Sequence, residues 1–114
     1  MSQERREAAV LASVPKQLYI GGTWVDAEGA TTFDVLDPAT GEVLCQVADA
    51  SPADGMRALE AAVAAQADFA ALPPQARADM LTRAFTLLHE RIDDLALLMP
   101  LEMGKPVAEA RGEI

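Results

Sequence analysis

The residues that could do chemistry in this sequence are few. Cys45 is the only thiol, His89 is the only imidazole, and Asp93 and Asp94 are adjacent carboxylates. A nucleophilic cysteine needs a nearby cation or a helix N-terminus to lower its pKa, whereas Cys45 lies inside a strand-like run. The pattern therefore favours Cys45 as a small, buried apolar side chain rather than a catalytic thiol.

The histidine and the paired carboxylates have simpler structural interpretations. A metal site needs several ligands at compatible spacing, and His89 has only Glu90 beside it. Neighbouring residues of a helix do not face each other. Asp93 and Asp94 thus suit the start of a helix better than acid–base catalysis, and His89 is expected at the surface or at its boundary.

Glu102 has the strongest claim to a functional role. It lies three residues before Lys105 in the segment LEMGKP, residues 101–106. One interpretation is an ion pair between these two side chains, which would fix the turn at a gain below about 1 kcal/mol if it is exposed. The other interpretation is a cation ligand, and it depends on the resemblance described below.

Composition limits the class of protein. A chain of 114 residues forms at most one domain. Its 18 acidic and 9 basic residues leave a charge of −9, which argues against binding nucleic acid or an anionic membrane surface. No apolar run approaches the length of a membrane span, and no secretory signal is evident. One cysteine excludes an internal disulfide, so we expect a cytoplasmic protein.

The first half of the chain predicts strands. Residues 2–14 suggest a short helix or a mobile arm that ends at Pro15. Residues 17–25 read as a strand interrupted by a tight turn at Gly21 and Gly22, because no helix follows these glycines as a phosphate loop requires. Residues 31–36 and 42–48 predict a hairpin around the turn DPATG.

The second half predicts amphipathic helices. Ser51 is a helix N-cap followed by Pro52, and Asp54 completes a capping box, so a helix covers residues 51–69. A second helix covers residues 75–91, with an apolar stripe wide enough to be buried. A third follows Asp93 and Asp94. Pro100 predicts a kink or a break before Leu101, at a cost of about 3 kcal/mol.

The segments YIGGTWV, FDVLDPATGEVL and LEMGKP followed by AEARGEI resemble the N-terminal part of the NAD(P)-dependent aldehyde dehydrogenases. Among them the succinate-semialdehyde dehydrogenases are the most similar. The resemblance spans residues 18–114 and about a quarter of a family member. The family usually has Thr or Ser in place of Pro100 and often Asn in place of Asp37. A new helix starts after Pro106 and carries no terminal cap, which we interpret as the mark of an incomplete chain.

The resemblance implies an α/β fold in which β-hairpins precede amphipathic helices that pack on a downstream Rossmann-like sheet. It divides the chain into an N-terminal arm at 1–16, a β-hairpin region at 17–50, and a helical part of an incomplete cofactor-binding domain at 51–114. It implies a small-molecule aldehyde substrate, NAD or NADP as cofactor, and a homo-oligomer when complete. The family's catalytic cysteine, its general base and its cofactor-binding residues lie in motifs that this chain does not contain.

The resemblance also implies a site for a monovalent cation. In several family members the acidic residue before Gly-Lys binds the ion together with backbone carbonyls, which here correspond to Val35, Leu36 and Glu102. Oxygen ligands suit a hard cation. The family usually has Asp in the position of Glu102, which is one methylene longer.

Three hypotheses for function follow. The first is a segment of a dehydrogenase that oxidises succinate semialdehyde to succinate, inactive by itself and molten or aggregating because its apolar faces lack their sheet. The second is a dehydrogenase segment for another aldehyde. The third is a non-catalytic, acidic helical module that binds a partner, and it predicts a stable fold that melts cooperatively.

Overall fold

The computed structural model describes residues 2–114. The helices are α1 (Gln3–Ser13), α2 (Pro52–Ala71), α3 (Pro74–Glu90), α4 (Ile92–Met103) and α5 (Val107–Glu113). The strands are β1 (Leu18–Ile20), β2 (Thr23–Val25), β3 (Thr32–Leu36) and β4 (Val43–Ala48), with a 3-10 turn at Glu28–Ala30. Within these residues, no helix is both long and apolar enough to cross a membrane.

The first hairpin confirms the turn predicted at the two glycines. Strands β1 and β2 pair antiparallel, with Ile20 opposite Thr23. Gly21 and Gly22 have φ angles of 60° and 83°, as a two-residue turn matching the twist of the strands requires. Tyr19 and Trp24 lie opposite each other with ring centroids 4.9 Å apart, so the hairpin carries an aromatic cross-strand pair.

The second hairpin, β3 with β4, is also confirmed. Its turn is closed by the Gly41 N–H, which donates to the Asp37 carbonyl at 2.7 Å, and by the Asp37 N–H, which donates to the Glu42 carbonyl at 2.9 Å. The Asp37 carboxylate accepts the N–H of Ala39 at 2.8 Å. Asp37 thus stabilises its own turn through backbone and side chain alike.

Of the kink or break expected at Pro100, the break is wrong. Helix α4 continues through Pro100 to Met103, and the Gly104 N–H donates to the Pro100 carbonyl at 2.9 Å. Gly104 ends the helix in the left-handed region at φ 77°, which confirms the predicted cap. The proline removes one N–H from the helix interior, and the surrounding turns still hold the helix together.

The chain divides into two compact units. The first contains α1 and the residues up to Pro15, Asp34–Gln46 and Thr86–Ile114. In it α1 packs on α4, α5 packs closely on α4, and Val10, Ala96 and Ala110 are buried. The helix predicted near the N-terminus is therefore a packed element rather than a projecting arm.

The second unit contains Lys16–Phe33 and Val47–Phe85. Helix α2 packs on β1, and Ala27 and Asp54 are buried. Backbone hydrogen bonds join the Ala48 N–H to the Lys16 carbonyl at 2.8 Å and the Asp49 N–H to the Thr31 carbonyl at 2.9 Å. These bonds hold the end of β4 beside the segments that flank the first hairpin.

The apolar faces of α2 and α3 remain exposed within the described residues. On α2 the exposed large side chains are Met56, Leu59, Val63 and Phe69, and on α3 they are Met80, Leu81, Phe85, Leu87 and Leu88. Leu81 is 71% and Phe85 is 60% exposed, and α3 contains no buried residue. The stripe on α3, which is wide enough to be buried, is therefore exposed in the described residues, as the first hypothesis expects of an apolar face that lacks its sheet.

Candidate functional site

The most constrained polar group is the carboxylate of Asp54 at the start of α2. Ser51 is the N-cap, and its hydroxyl oxygen accepts the Asp54 N–H at 3.1 Å. The Asp54 carboxylate in turn accepts the Ser51 N–H at 2.9 Å. The predicted capping box is therefore present.

Asp54 makes two further contacts, and only the one to Arg57, three residues along the helix, follows a sequence spacing. Its carboxylate accepts the N–H of Glu28 at 3.0 Å and a hydrogen bond from the Arg57 guanidinium. The Ser51 hydroxyl donates to the Glu28 carboxylate at 2.8 Å. These bonds join the 3-10 turn to the start of α2. Because Asp54 is only 1% exposed, its carboxylate stabilises the structure and is not accessible as a reactive group.

The same contacts set the ionisation of Asp54. The Glu28 N–H, the Ser51 N–H and the Arg57 side chain lower the pKa of this carboxyl well below its usual range, against the opposing effect of burial. Hydrogen bonds to the charged form favour that form. The carboxylate therefore stays ionised in the folded chain at pH values where an unfolded aspartate, with a pKa of about 3.9, becomes protonated.

We therefore expect Asp54 to make stability depend on pH in the acid range. Its contribution is complete above the unfolded pKa and is lost as the pH falls below about 4 toward the folded pKa. Urea denaturation at pH values from 5 to 2.5 should show that the free energy of unfolding falls more steeply with decreasing pH in the wild type than in Asp54→Asn. The difference between the two slopes should correspond to the uptake of up to one proton on unfolding. The exposed Asp68→Asn variant should keep the wild-type slope, and equal slopes in Asp54→Asn and wild type would contradict this role.

The residues predicted to hold a cation lie in the first unit. Val35 is half-buried and Leu36 is exposed at the end of β3, and Glu102 is exposed in the last turn of α4. The end of α4 lies against the turn that follows β3, because a Cβ placed on Gly104 would be 3.1 Å from a Pro38 ring carbon. The structure thus brings together the two segments that carry these residues.

The predicted ion pair between Glu102 and Lys105 is wrong. Lys105 forms its ion pair with Glu113 of α5 and not with Glu102. The bond closes the connection from α4 to α5. A second ion pair, from Arg111 to Asp93 at 2.6 Å, joins the same two helices.

The remaining candidates occupy structural positions. Cys45 is a free, half-buried thiol in β4, and His89 lies exposed in the last turn of α3. Asp93 and Asp94 lie in the first turn of α4, where negative charge is favourable. Among residues 2–114, no group of three or more histidine, cysteine or acidic side chains is arranged to hold a metal ion.

Neither the two glycines nor the start of α2 has the form of a phosphate-binding loop. Gly21 and Gly22 close a β-hairpin, whereas a phosphate-binding loop leads into a helix N-terminus. Helix α2 begins at Pro52 behind a Ser51 cap whose hydrogen bonds are satisfied by Asp54 and Glu28.

With this architecture, the chain belongs to the aldehyde dehydrogenase family, whose model matches residues 24–114. It is 48% identical over 99 residues to a glutarate-semialdehyde dehydrogenase from Pseudomonas aeruginosa, covering 87% of this chain and 20% of that protein. It is also 48% identical to the solved succinate-semialdehyde dehydrogenase from Burkholderia pseudomallei, with a TM-score of 0.82 over 85% of this chain and 20% of that one.

A solved structure of PnpE in complex with nicotinamide adenine dinucleotide is 34% identical, with a TM-score of 0.82 over 87% of this chain and 20% of that one. The chain therefore spans about a fifth of the length of the relatives it matches. The α/β fold expected from the sequence is confirmed as that of the N-terminal part of aldehyde dehydrogenases.

Proposed function

We propose that the chain acts as the N-terminal part of an NAD(P)-dependent dehydrogenase that oxidises succinate semialdehyde to succinate. The observation that carries the proposal is the identity of 48% to both a succinate- and a glutarate-semialdehyde dehydrogenase. The cofactor, the substrate pocket, a homo-oligomeric assembly and a cytoplasmic location belong to this proposal. Bound nicotinamide would accept a hydride, and none of the residues described above takes part in that step.

The role proposed for this chain is structural support of the complete enzyme. Residues 51–114 would be the helical part of a cofactor-binding domain, and the exposed apolar stripes of α2 and α3 would pack on the remainder of that enzyme. These stripes include Leu59, Val63, Leu81 and Phe85, which are each at least 55% exposed. Covering such side chains removes apolar area from water and contributes about 25 cal/mol per Å².

The activity assay compares two proteins. The purified 114-residue chain should reduce neither NAD nor NADP when given succinate semialdehyde, as followed by the absorbance of the reduced nicotinamide. A hybrid in which this chain replaces the first fifth of the Burkholderia pseudomallei enzyme should turn the substrate over. Turnover by the isolated chain would contradict the proposal, and so would a folded hybrid without activity.

Glutarate semialdehyde is the alternative substrate, because one relative acts on it by name. The two substrates differ by one methylene. A binding pocket that distinguishes such a pair gives values of kcat/KM that differ by about 10- to 200-fold. The ratio of kcat/KM for the two aldehydes in a complete enzyme containing this chain decides between them. A higher value for the five-carbon substrate would replace succinate semialdehyde in the proposal.

A non-catalytic docking module remains the second candidate, because the exposed stripes of α2 and α3 would serve a partner protein equally well. The two functions differ in the behaviour of the isolated chain. A module should melt cooperatively as a monomer, whereas an enzyme segment should associate or melt without a sharp transition. Circular dichroism on heating, with sedimentation at several concentrations, separates them.

We also propose that Glu102 and the carbonyls of Val35 and Leu36 bind a monovalent cation. Potassium at 100 mM should raise the free energy of unfolding by about 1 kcal/mol relative to the same concentration of tetramethylammonium, as a site with a Kd of about 20 mM predicts. Glu102→Gln should abolish the difference, while Glu60→Gln on α2 should retain it. A potassium effect that survives in Glu102→Gln would remove Glu102 from the site.

A further inference from the structure

A cavity of about 420 Å³ lies between α1 and α4 in the first unit. Its apolar lining consists of Val10, Val14, Pro15, Leu95 and Leu98. Val10 is 7% exposed, Val14, Leu95 and Leu98 are half-buried, and Pro15 is exposed. The volume falls within the range of about 300–1,000 Å³ that is typical of small-molecule sites. The lining suits a short, branched hydrocarbon group.

Two opposite charges border this cavity. Arg91 precedes α4 and Asp94 lies in its first turn, and both line the cavity and are exposed. Within the part of the chain that the structure describes, the two side chains form an ion pair neither with each other nor with another residue. Arg6 lines an adjoining smaller cavity together with Asp94. Both charges are therefore free to meet a ligand.

The opposite charges of Arg91 and Asp94 determine which charges a ligand of this cavity should carry. A phosphate or another polyanion would meet the repulsion of Asp94, and a purely apolar molecule would remove both charges from water without compensation. A zwitterion compensates both at once. An arginine fork matches a carboxylate, and an aspartate accepts from an ammonium group.

We propose that this cavity binds a free aliphatic α-amino acid. The ligand carboxylate pairs with Arg91, its ammonium group pairs with Asp94, and its side chain lies against Val10, Leu95 and Leu98. The inference goes beyond the proposed function and does not depend on it, since these residues take no part in the oxidation of an aldehyde.

The test uses the hybrid in which this chain replaces the first fifth of the Burkholderia pseudomallei enzyme, and three ligands of similar shape. These are L-leucine, 4-methylpentanoate, which lacks the ammonium group, and 3-methylbutylamine, which lacks the carboxylate. Titration followed by NMR chemical shifts should show that L-leucine binds at least about 10-fold more tightly than either truncated ligand, because each charged hydrogen bond contributes on this scale. Shifts should be largest for Val10, Leu95 and Leu98.

Variants separate ligand contact from structural damage. Asp94→Asn should weaken the binding of L-leucine without weakening that of 4-methylpentanoate, so that the two affinities become similar, and Arg91→Gln should do the same with respect to 3-methylbutylamine. Arg5→Gln and Asp68→Asn, which lie outside the lining, should change nothing. Equal affinity for the three ligands, absence of binding, or a parallel loss for all three in the variants would overturn the proposal.

Discussion

Replacing Pro100 with alanine should raise the free energy of unfolding of the chain by about 2 kcal/mol. Proline in a helix interior costs about 3 kcal/mol relative to alanine, and the stiffer unfolded chain returns about 0.4–1 kcal/mol of that cost. Pro100 is inside α4, which ends only at Met103. Alanine would restore the N–H that a continuous helix donates to the Ala96 carbonyl.

The matched control is Pro106→Ala. Pro106 precedes α5 as its N-cap with φ at −61° and ψ at 143°, so its ring fits the backbone and removes no helical hydrogen bond. This variant should lose about 0.4–1 kcal/mol, because only the unfolded chain gains freedom. Urea denaturation measures both. A Pro100→Ala variant no more stable than the wild type would show that α4 is not a regular helix at this point.

Of the variants proposed for this chain, Ala110→Leu should lower the free energy of unfolding the most. Ala110 is completely buried where α5 packs on α4, and Ala96 of α4 is 2% exposed. Small side chains allow two helices to approach closely, and added volume forces them apart at a typical cost of about 1–3 kcal/mol. We expect a loss near about 3 kcal/mol for Ala110→Leu, because α5 has only seven residues to absorb the displacement.

Ala108→Leu provides the control on the exposed side of α5. It adds the same atoms without meeting a neighbour and should change stability by no more than about 0.5 kcal/mol. Both variants can be compared by urea denaturation at neutral pH. Equal stability for the two would mean that α5 is not held against α4.

The features that could be predicted from the sequence depend on local chemistry. Gly21 and Gly22 specify a two-residue turn because few other residues adopt positive φ at low cost. Ser51 and Asp54 specify a capping box through contacts three residues apart. Gly104 ends α4 for the same reason that Gly21 begins its turn. Each of these structures is decided by neighbours in the chain, so a single sequence suffices to find them.

The features that were missed depend on contacts between distant segments. The hydrogen bond from Glu28 to Asp54 joins residues 26 positions apart, and no spacing rule indicates it. Lys105 selects Glu113 over Glu102 only because α5 returns alongside α4. Helix α4 likewise continues through Pro100 while it is packed against α1 and α5, an effect of tertiary structure that outweighs local propensity.

The apolar stripe of α3 is the feature that connects fold with function. Its period could be predicted from the sequence, and its exposure agrees with the first hypothesis, in which the apolar faces lack their sheet: Met80, Leu81 and Phe85 are exposed in the described chain. The chain spans 20% of the relatives that it matches at 48% identity. We therefore propose the remaining four-fifths of such an enzyme as the surface that covers this stripe.

Cysteine labelling tests that claim most directly. In a Cys45→Ser background, Leu81→Cys is labelled with a maleimide in the 114-residue chain and in the hybrid with the Burkholderia pseudomallei enzyme, and labelled peptides are identified by mass spectrometry. Our account predicts that position 81 reacts at least about 10-fold more slowly in the hybrid, while Arg83→Cys, on the other side of α3, reacts at similar rates in both. Equal reactivity of position 81 in the two proteins would contradict it.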